Sequence, residues 1–77
     1  MLIEFLDNDS QWRPFDNATA VRVDAGVYEI TISELSHLWR VRVDLFDGTL
    51  LRIDGRETKS VAGIRRERDR IVLRATV

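Results

Sequence analysis

Hydrophobic and polar residues alternate with a period of two along most of this chain, which is typical of β-strands that bury one face. In residues 27–32, for example, Tyr28, Ile30 and Ile32 share one face while Glu29 and Thr31 share the other. The same pattern predicts strands at residues 2–6, 21–24, 27–32, 38–46, 50–54 and 71–76.

Glycine-containing turns separate these strands. Ala25-Gly26 precedes the strand at 27–32, and Asp47-Gly48 lies between apolar alternating runs, which is a strong β-hairpin signal. Gly55 ends the return strand, because glycine tolerates positive φ at a turn. Residues 7–18 are polar and contain the single proline, so they are interpreted as a long loop.

Two segments allow alternative interpretations. Residues 56–70 carry apolar side chains at helical spacing, but Gly63 disfavours a helix, and a hairpin that turns near Arg68-Asp69 is the preferred interpretation. Residues 33–38 fit either one helical turn, with Thr31 and Glu34 at capping-box spacing, or a polar connection. The connection is preferred because the segment is so short.

These elements predict a mostly β fold in which residues 1–77 form a single small domain. An antiparallel sheet of five to six strands must bury its apolar side, so it is expected to curl into an SH3-like or OB-like barrel or a compact sandwich, with at most one short helix. The motif apolar-Arg-apolar-Asp occurs at residues 21–24, 41–44 and 51–54. We expect its Arg and Asp side chains to pair across neighbouring strands on the outer face.

Composition narrows the class of protein. The chain has no Cys and a single His, so neither disulfides nor a structural zinc site is expected to add stability. Small domains without such aids often oligomerise, which makes a homodimer a reasonable expectation. The N-terminal segment lacks a basic region, and its apolar run is broken by Glu4, so neither a signal peptide nor a membrane span is predicted. The protein is expected to be cytoplasmic.

The sequence lacks the parts of a recognisable enzyme. His37 is not accompanied by a nucleophile motif, and Glu34 and His37 form only one Glu-x-x-His, where di-iron proteins need two. The dispersed glycines form no phosphate-binding loop, and Asp7-Asn8-Asp9 is interpreted as a turn rather than a calcium loop. No catalytic residue, metal site or cofactor is predicted.

Two surfaces are candidates for recognition of a protein partner. One is the loop containing Trp12, Arg13 and Phe15, because Trp and Arg are enriched at interface hot spots. In the alternative interpretation Trp12 and Phe15 fold back as a lid on the core. The second surface is the charged face of the strand at 38–46, which carries Arg40, Arg42 and Asp44.

The leading functional hypothesis is therefore a non-catalytic protein-interaction module. One concrete form is a phage-type inhibitor, similar in size and charge to anti-CRISPR proteins, that binds a host protein through a charged surface. This form depends on the small size of the chain and on the acidic excess of residues 1–51, which contain nine acidic residues and four arginines.

The excess of basic residues in the last third of the chain supports an alternative hypothesis. Residues 52–77 hold eight bases against four acids. A small β-barrel could bind nucleic acid through such a segment, although no aromatic residue follows Phe46 to stack on bases. The candidate residues are Arg56, Lys59, Arg65, Arg66, Arg68 and Arg70. A second alternative is a structural subunit of a homo-oligomer.

Overall fold

Two four-stranded antiparallel sheets make up a computed structural model of the chain, which describes residues 1–7, 9–33 and 49–77. Sheet A has the order β2-β1-β5-β6 and sheet B the order β3-β4-β8-β7. The strands are β1 (Ile3–Leu6), β2 (Trp12–Pro14), β3 (Ala18–Asp24), β4 (Val27–Ile32), β5 (Leu51–Ile53), β6 (Arg56–Glu57), β7 (Ser60–Arg66) and β8 (Ile71–Thr76). No residue in these ranges is helical.

Sheet B is organised around the pairing of β4 with β8. Their register runs from Val27 opposite Thr76 to Ile32 opposite Ile71. This register places Ile30 beside Leu73, and both side chains are completely buried. The predicted inward face of β4 is therefore confirmed, because the period-two pattern of the strand matches the face that it buries.

The hydrophobic core lies between the two sheets. Sheet A contributes Ile3, Phe5, Leu51 and Ile53, all at most 4% exposed. Phe15 follows β2 and packs on Phe5 with ring centroids 4.7 Å apart and planes tilted by 45°. Sheet B contributes the remaining members of the same cluster: Ile30, Ile32, Val61, Ile71, Leu73 and Ala75. Neither sheet could bury its apolar face alone, so each depends on the other.

The chain passes directly from one sheet to the other at two corners. At the first, the Phe15 N–H donates to the Ile3 carbonyl in sheet A (3.0 Å), and the Asn17 carbonyl accepts from Ser33 beside sheet B (2.8 Å). At the second, between β6 and β7, the Thr58 N–H donates to Leu51 of sheet A and the Lys59 N–H donates to Thr76 of sheet B. Strands that change sheets in this way form the corners of sandwiches and barrels.

Thr58 fixes the second corner. It is the single buried polar side chain among the described residues, at 5% exposure. Its N–H donates to the Leu51 carbonyl (2.9 Å), and its Oγ1 accepts from the Leu51 N–H (3.2 Å). One residue later, the Lys59 N–H donates to the Thr76 carbonyl (2.6 Å). The backbone N–H groups of Thr58 and Lys59 are therefore satisfied although neither residue belongs to a strand.

Residues 60–70 belong to the predicted hairpin rather than to a helix, and residues 56–57 pair with β5 instead. The Glu67 N–H donates to the Arg70 carbonyl (2.9 Å) and closes the turn at Arg68-Asp69. Gly63 has a φ of +65° where the register of β7 shifts against β8. A β-bulge with a left-handed residue explains why glycine stands here.

Two features differ from the sequence-based expectation, and a third lies outside the described residues. The described residues contain eight strands in two sheets rather than five or six strands in one, and they show no closed barrel, so the SH3-like or OB-like form of the expectation is not confirmed. The loop predicted at residues 7–18 contains β2 and the start of β3, since Pro14 is tolerated on an edge strand. The helical turn at 33–38, the strand at 38–46 and the Asp47-Gly48 turn lie outside the described residues, apart from Ser33.

The two described copies of the apolar-Arg-apolar-Asp motif do not pair with each other as predicted. The copies at 21–24 and 51–54 belong to different sheets, and the third copy lies outside the described ranges. Arg52 instead pairs with Glu4, and Arg22 Nε donates to the Asp24 carbonyl at 3.3 Å. The prediction is wrong for the two described copies, because alternation assigns faces but does not assign strands to sheets.

Replacing Thr58 with valine tests the role of the corner. Thr58→Val keeps the shape but leaves the buried Leu51 N–H without its Oγ1 partner, so we expect a loss of about 1–3 kcal/mol in unfolding free energy. Thr58→Ser keeps the hydroxyl and loses one methyl, which costs about 0.8 kcal/mol. Urea unfolding measures both variants. Equal midpoints for Thr58→Val and the parent protein would contradict this role.

Candidate protein-binding face of sheet A

The outer face of sheet A carries side chains in parallel rows, because residues opposite one another on paired strands share a face. One row contains Pro14, Glu4, Arg52 and Glu57, which are successive partners across β2, β1, β5 and β6. In the next row Trp12 lies opposite Leu6. Continuing the β1–β5 register by one residue places Leu50 on the other side of Leu6.

Arg52 connects these rows. Its Nε and Nη2 donate to the two carboxylate oxygens of Glu4 at 3.2 and 3.1 Å, a forked geometry that fits a planar guanidinium. The Arg52 guanidinium also lies 4.4 Å from the centroid of the Trp12 ring. Such a stack contributes about 0.5–1 kcal/mol at exposed sites and more when desolvated. The contact joins β1, β2 and β5, three of the four strands of sheet A.

Apolar side chains surround this contact and remain open to solvent. Leu2 is 51% exposed, Leu6 37% and Leu50 44%. Trp12 is half-buried under the Arg52 guanidinium. We name Leu2, Leu6, Trp12 and Leu50 the apolar face of sheet A. Contiguous exposed apolar groups on a small protein are typical of binding surfaces, whereas scattered ones are ordinary.

The connection between β1 and β2 holds Trp12 in register. Asp7 Oδ1 accepts hydrogen bonds from the N–H groups of Asp9 and Gln11, each at 2.9 Å, and Asp7 Oδ2 accepts from Arg13 Nε. The hydrogen bond from Arg13, followed by those from the backbone, lowers the pKa of the Asp7 carboxyl below its ordinary value. The predicted turn at Asp7 is confirmed, and Arg13 serves it as a structural partner.

The predicted recognition residues lie in different environments in the structure. Trp12 and Arg13 reach the surface of sheet A, whereas Phe15 is only 8% exposed and belongs to the core, as the lid interpretation predicts for that residue. Arg40, Arg42 and Asp44 lie outside the described residues, as does His37. The sequence therefore indicated one strong member of the apolar face, Trp12.

Sequence reasoning missed Glu4, Arg52 and the exposed leucines. Glu4 and Arg52 are 48 residues apart, so only the strand register brings them together. Leu6 and Leu50 resemble core residues at the ends of predicted strands. A signal was present, since Leu2, Glu4 and Leu6 alternate with the buried Ile3 and Phe5 and must share the opposite face.

The basic residues of the alternative site lie elsewhere, along β6, β7 and the β7–β8 turn: Arg56, Lys59, Arg65, Arg66, Arg68 and Arg70. Arg70 forms an ion pair with Asp69 (3.1 Å), and this hydrogen bond lowers the pKa of the Asp69 carboxyl. Arg65 lines a shallow groove of about 250 Å³ on the outer face of sheet B, together with Glu29, Val72 and Arg74.

Within residues 1–7, 9–33 and 49–77, no group of His, Asp or Glu side chains could hold a metal ion. The same ranges contain no helix of the length and hydrophobicity needed to cross a bilayer.

Comparisons of the chain with protein-family models, with curated proteins and with solved structures found no match. The function must therefore be argued from the residues themselves.

Alanine substitutions at Phe15 and Trp12 distinguish a core side chain from a surface side chain by the loss of stability that each causes. Phe15→Ala should cost about 3–5 kcal/mol of unfolding free energy, whereas Trp12→Ala should cost about 1 kcal/mol because the ring is half-exposed. If Phe15→Ala fails to fold, Phe15→Leu provides the comparison, with an expected loss below about 1.5 kcal/mol. Denaturant unfolding measures each. A greater loss for Trp12→Ala than for Phe15→Ala would contradict this assignment.

Acid should weaken the β1–β2 connection through Asp7. A carboxyl whose pKa is lowered in the folded state stabilises the fold above its unfolded pKa, near about 3.9, and loses that contribution as pH falls through the folded pKa. We therefore expect Asp7→Asn to lower the unfolding midpoint at pH 7, with a difference that shrinks below about pH 4.

Asp9→Asn is the control for this experiment. It makes the same charge change nearby, but the Asp9 carboxylate receives no hydrogen bond in the described residues. Thermal unfolding between pH 2 and 7 measures all three proteins. A deficit for Asp7→Asn that stays constant over this range would contradict the ion-pair explanation.

Proposed function

We propose that this chain is a non-catalytic protein-interaction module that binds its partner with the apolar face of sheet A. The observation that supports this most is the set of exposed leucines around the stacked Trp12 and Arg52 side chains. Interface hot spots are enriched in Trp and Arg at the centre of an apolar patch with a polar rim. This face has that arrangement.

The Arg52 side chain at the centre of this face is already ordered before a partner binds. Arg52 is held by two hydrogen bonds to Glu4 and by the Trp12 ring before any partner arrives. A side chain that is already ordered loses little conformational entropy on binding, which otherwise costs about 0.5–1.5 kcal/mol for each flexible side chain. The Arg52 charge is also already neutralised by Glu4, so a partner need not supply a carboxylate.

Charge at the rim defines the chemistry of the partner. Asp54 and Glu57 are exposed beside Arg52 and Glu4. The Asp54 Oδ1 accepts from the Leu2 N–H (2.8 Å), which fixes this carboxylate at the edge of the face. An apolar centre with an acidic rim fits a partner whose own apolar patch is bordered by Lys or Arg. The inhibitor form of the proposal has such a partner, a host protein with a basic surface.

Aspartate substitutions of the exposed leucines test the proposal without disturbing the core. Leu6→Asp and Leu50→Asp each place a carboxylate on the apolar face, and we expect each to weaken capture of the partner by about 30-fold or more. The experiment is affinity capture from nuclease-treated host lysate, followed by measurement of the affinity of the captured protein. Trp12→Ala should have a comparable effect.

Val21→Asp is the matched control for the leucine variants. Val21 is 63% exposed on β3 of sheet B, so this substitution adds the same charge to a more accessible aliphatic site on the other sheet. It should leave capture unchanged. Equal loss for Val21→Asp, or full capture by both leucine variants, would contradict binding through sheet A.

A further inference from the structure

One uninterrupted stretch of chain forms an edge of both sheets. β6 pairs with β5 in sheet A, and β7, which follows after Thr58 and Lys59, pairs with β8 in sheet B. Residues 56–66 have no other strand on their outer side among the described residues. At about 3.3 Å per residue, this edge extends over roughly 30 Å.

Basic side chains with no hydrogen bond or ion pair to another described residue lie on this edge, in the turn that follows β7 and on the neighbouring strand β8. Arg13, Arg52 and Arg70 each pair with a carboxylate. In contrast, the structure shows no hydrogen bond or ion pair from five basic side chains to any described residue. We name these five residues the basic edge: Arg56, Lys59, Arg65, Arg68 and Arg74. Their charge is available to an external anion.

A groove beside the β7 bulge at Gly63 provides one specific position on the basic edge where an anion can bind. Arg65 and Arg74 line this groove of about 250 Å³, with the buried Val72 at its floor. Gly63 also lines it, and a Cβ built at Gly63 would have no atom within 4 Å, so the approach to the groove is open. Two guanidinium groups at one groove suit a phosphate, which Arg binds through forked hydrogen bonds.

We propose that the basic edge binds the phosphate backbone of single-stranded nucleic acid, with Arg65 and Arg74 holding one phosphate in the groove. A flexible single strand can follow an edge that bends between two sheets, whereas a stiff duplex contacts it over a shorter length. No aromatic residue occurs after Phe46, so no aromatic side chain of the basic edge stacks on the bases. Glu29 lines the same groove and lies opposite Arg74 across β4 and β8, so its carboxylate opposes a bound phosphate and limits the affinity, as do Glu57 and Glu67 near the edge.

Edge protection is the competing explanation for these charges. Charged residues and bulges on an edge strand prevent pairing with other sheets, and β7 has both features. Protection alone requires no available charge on β8, yet Arg74 lies on that inner strand and faces the groove. Protection alone also predicts no binding of oligonucleotides, so the two explanations are separated by measurement.

Fluorescence anisotropy with labelled 20-nucleotide oligo-dT and oligo-rU tests the proposal between 50 and 200 mM KCl. Contacts to three or four phosphates should lower the affinity roughly 15- to 60-fold over this range. The two oligonucleotides should bind within about threefold of each other, since the backbone is the shared ligand. A 20-base-pair duplex should bind more weakly than either.

The substitutions Arg65→Gln and Arg74→Gln test whether the groove binds the phosphate. The double variant should bind oligo-dT at least about tenfold more weakly, with the slope of log affinity against log salt reduced by about 0.7 in total, the value for one lost phosphate contact on a single strand. Arg22→Gln makes the same charge change on β3 and should leave binding unchanged. Thermal unfolding of each variant should match the parent, because these side chains are exposed.

Several outcomes would overturn the proposal: no binding at 50 mM KCl, equal effects of Arg22→Gln and Arg65→Gln, or tighter binding of the duplex. This inference does not depend on the protein-binding face. Leu6→Asp and Leu50→Asp should leave oligonucleotide binding intact, so failure of one proposal is distinguishable from failure of the other.

Discussion

Burial of one face of each sheet against the other is the constraint on which the rest of this structure depends. The apolar side of a four-stranded antiparallel sheet with short strands must be buried against another layer, because the sheet is not stable with that side exposed to water. The paired rings of Phe5 and Phe15 in sheet A and the buried Ile30 and Leu73 in sheet B meet in one cluster. The two corners, where the chain changes sheets, keep these faces opposed and satisfy the backbone between them.

This arrangement leaves two outer surfaces of different chemistry. The outer face of sheet A is apolar around a neutralised Glu4–Arg52 pair, which suits a protein partner. The edge formed by β6 and β7 carries Arg56 and Arg65, for which the described residues show no carboxylate partner, and this charge suits a polyanion. The overall charge of −1 conceals this division, because acids and bases are concentrated in different parts of the fold.

Local pattern predicted the strands better than it predicted their assembly. The strands at 2–6, 27–32 and 71–76 were confirmed because alternation there coincides with a buried face, and the hairpin at Arg68-Asp69 was confirmed as well. β2 was missed because its three residues include Pro14, which is compatible with strand structure only at an edge. The division into two sheets was missed because alternation carries no information about which strands are neighbours.

The same limit explains which part of the candidate site could be predicted. Trp12 was identified from residue type alone, whereas its contact with Arg52 requires the register of three strands. In β3, Val21 suggested a buried position, but the inward residues are Ala18 and Ala20, and Val21 is 63% exposed. The hairpin at Ala25-Gly26 and the register shift between Arg22 and Asp24 set this orientation.

Solvent accessibility of leucine methyl groups in solution tests the central claim, that the two sheets bury their inner faces and leave the outer face of sheet A available. The measurement is methyl NMR with a soluble paramagnetic agent. The account predicts strong broadening of Leu6 and Leu50, which are 37% and 44% exposed, and little effect on Leu51 and Leu73, which are fully buried. Equal broadening of the adjacent Leu50 and Leu51 would contradict it.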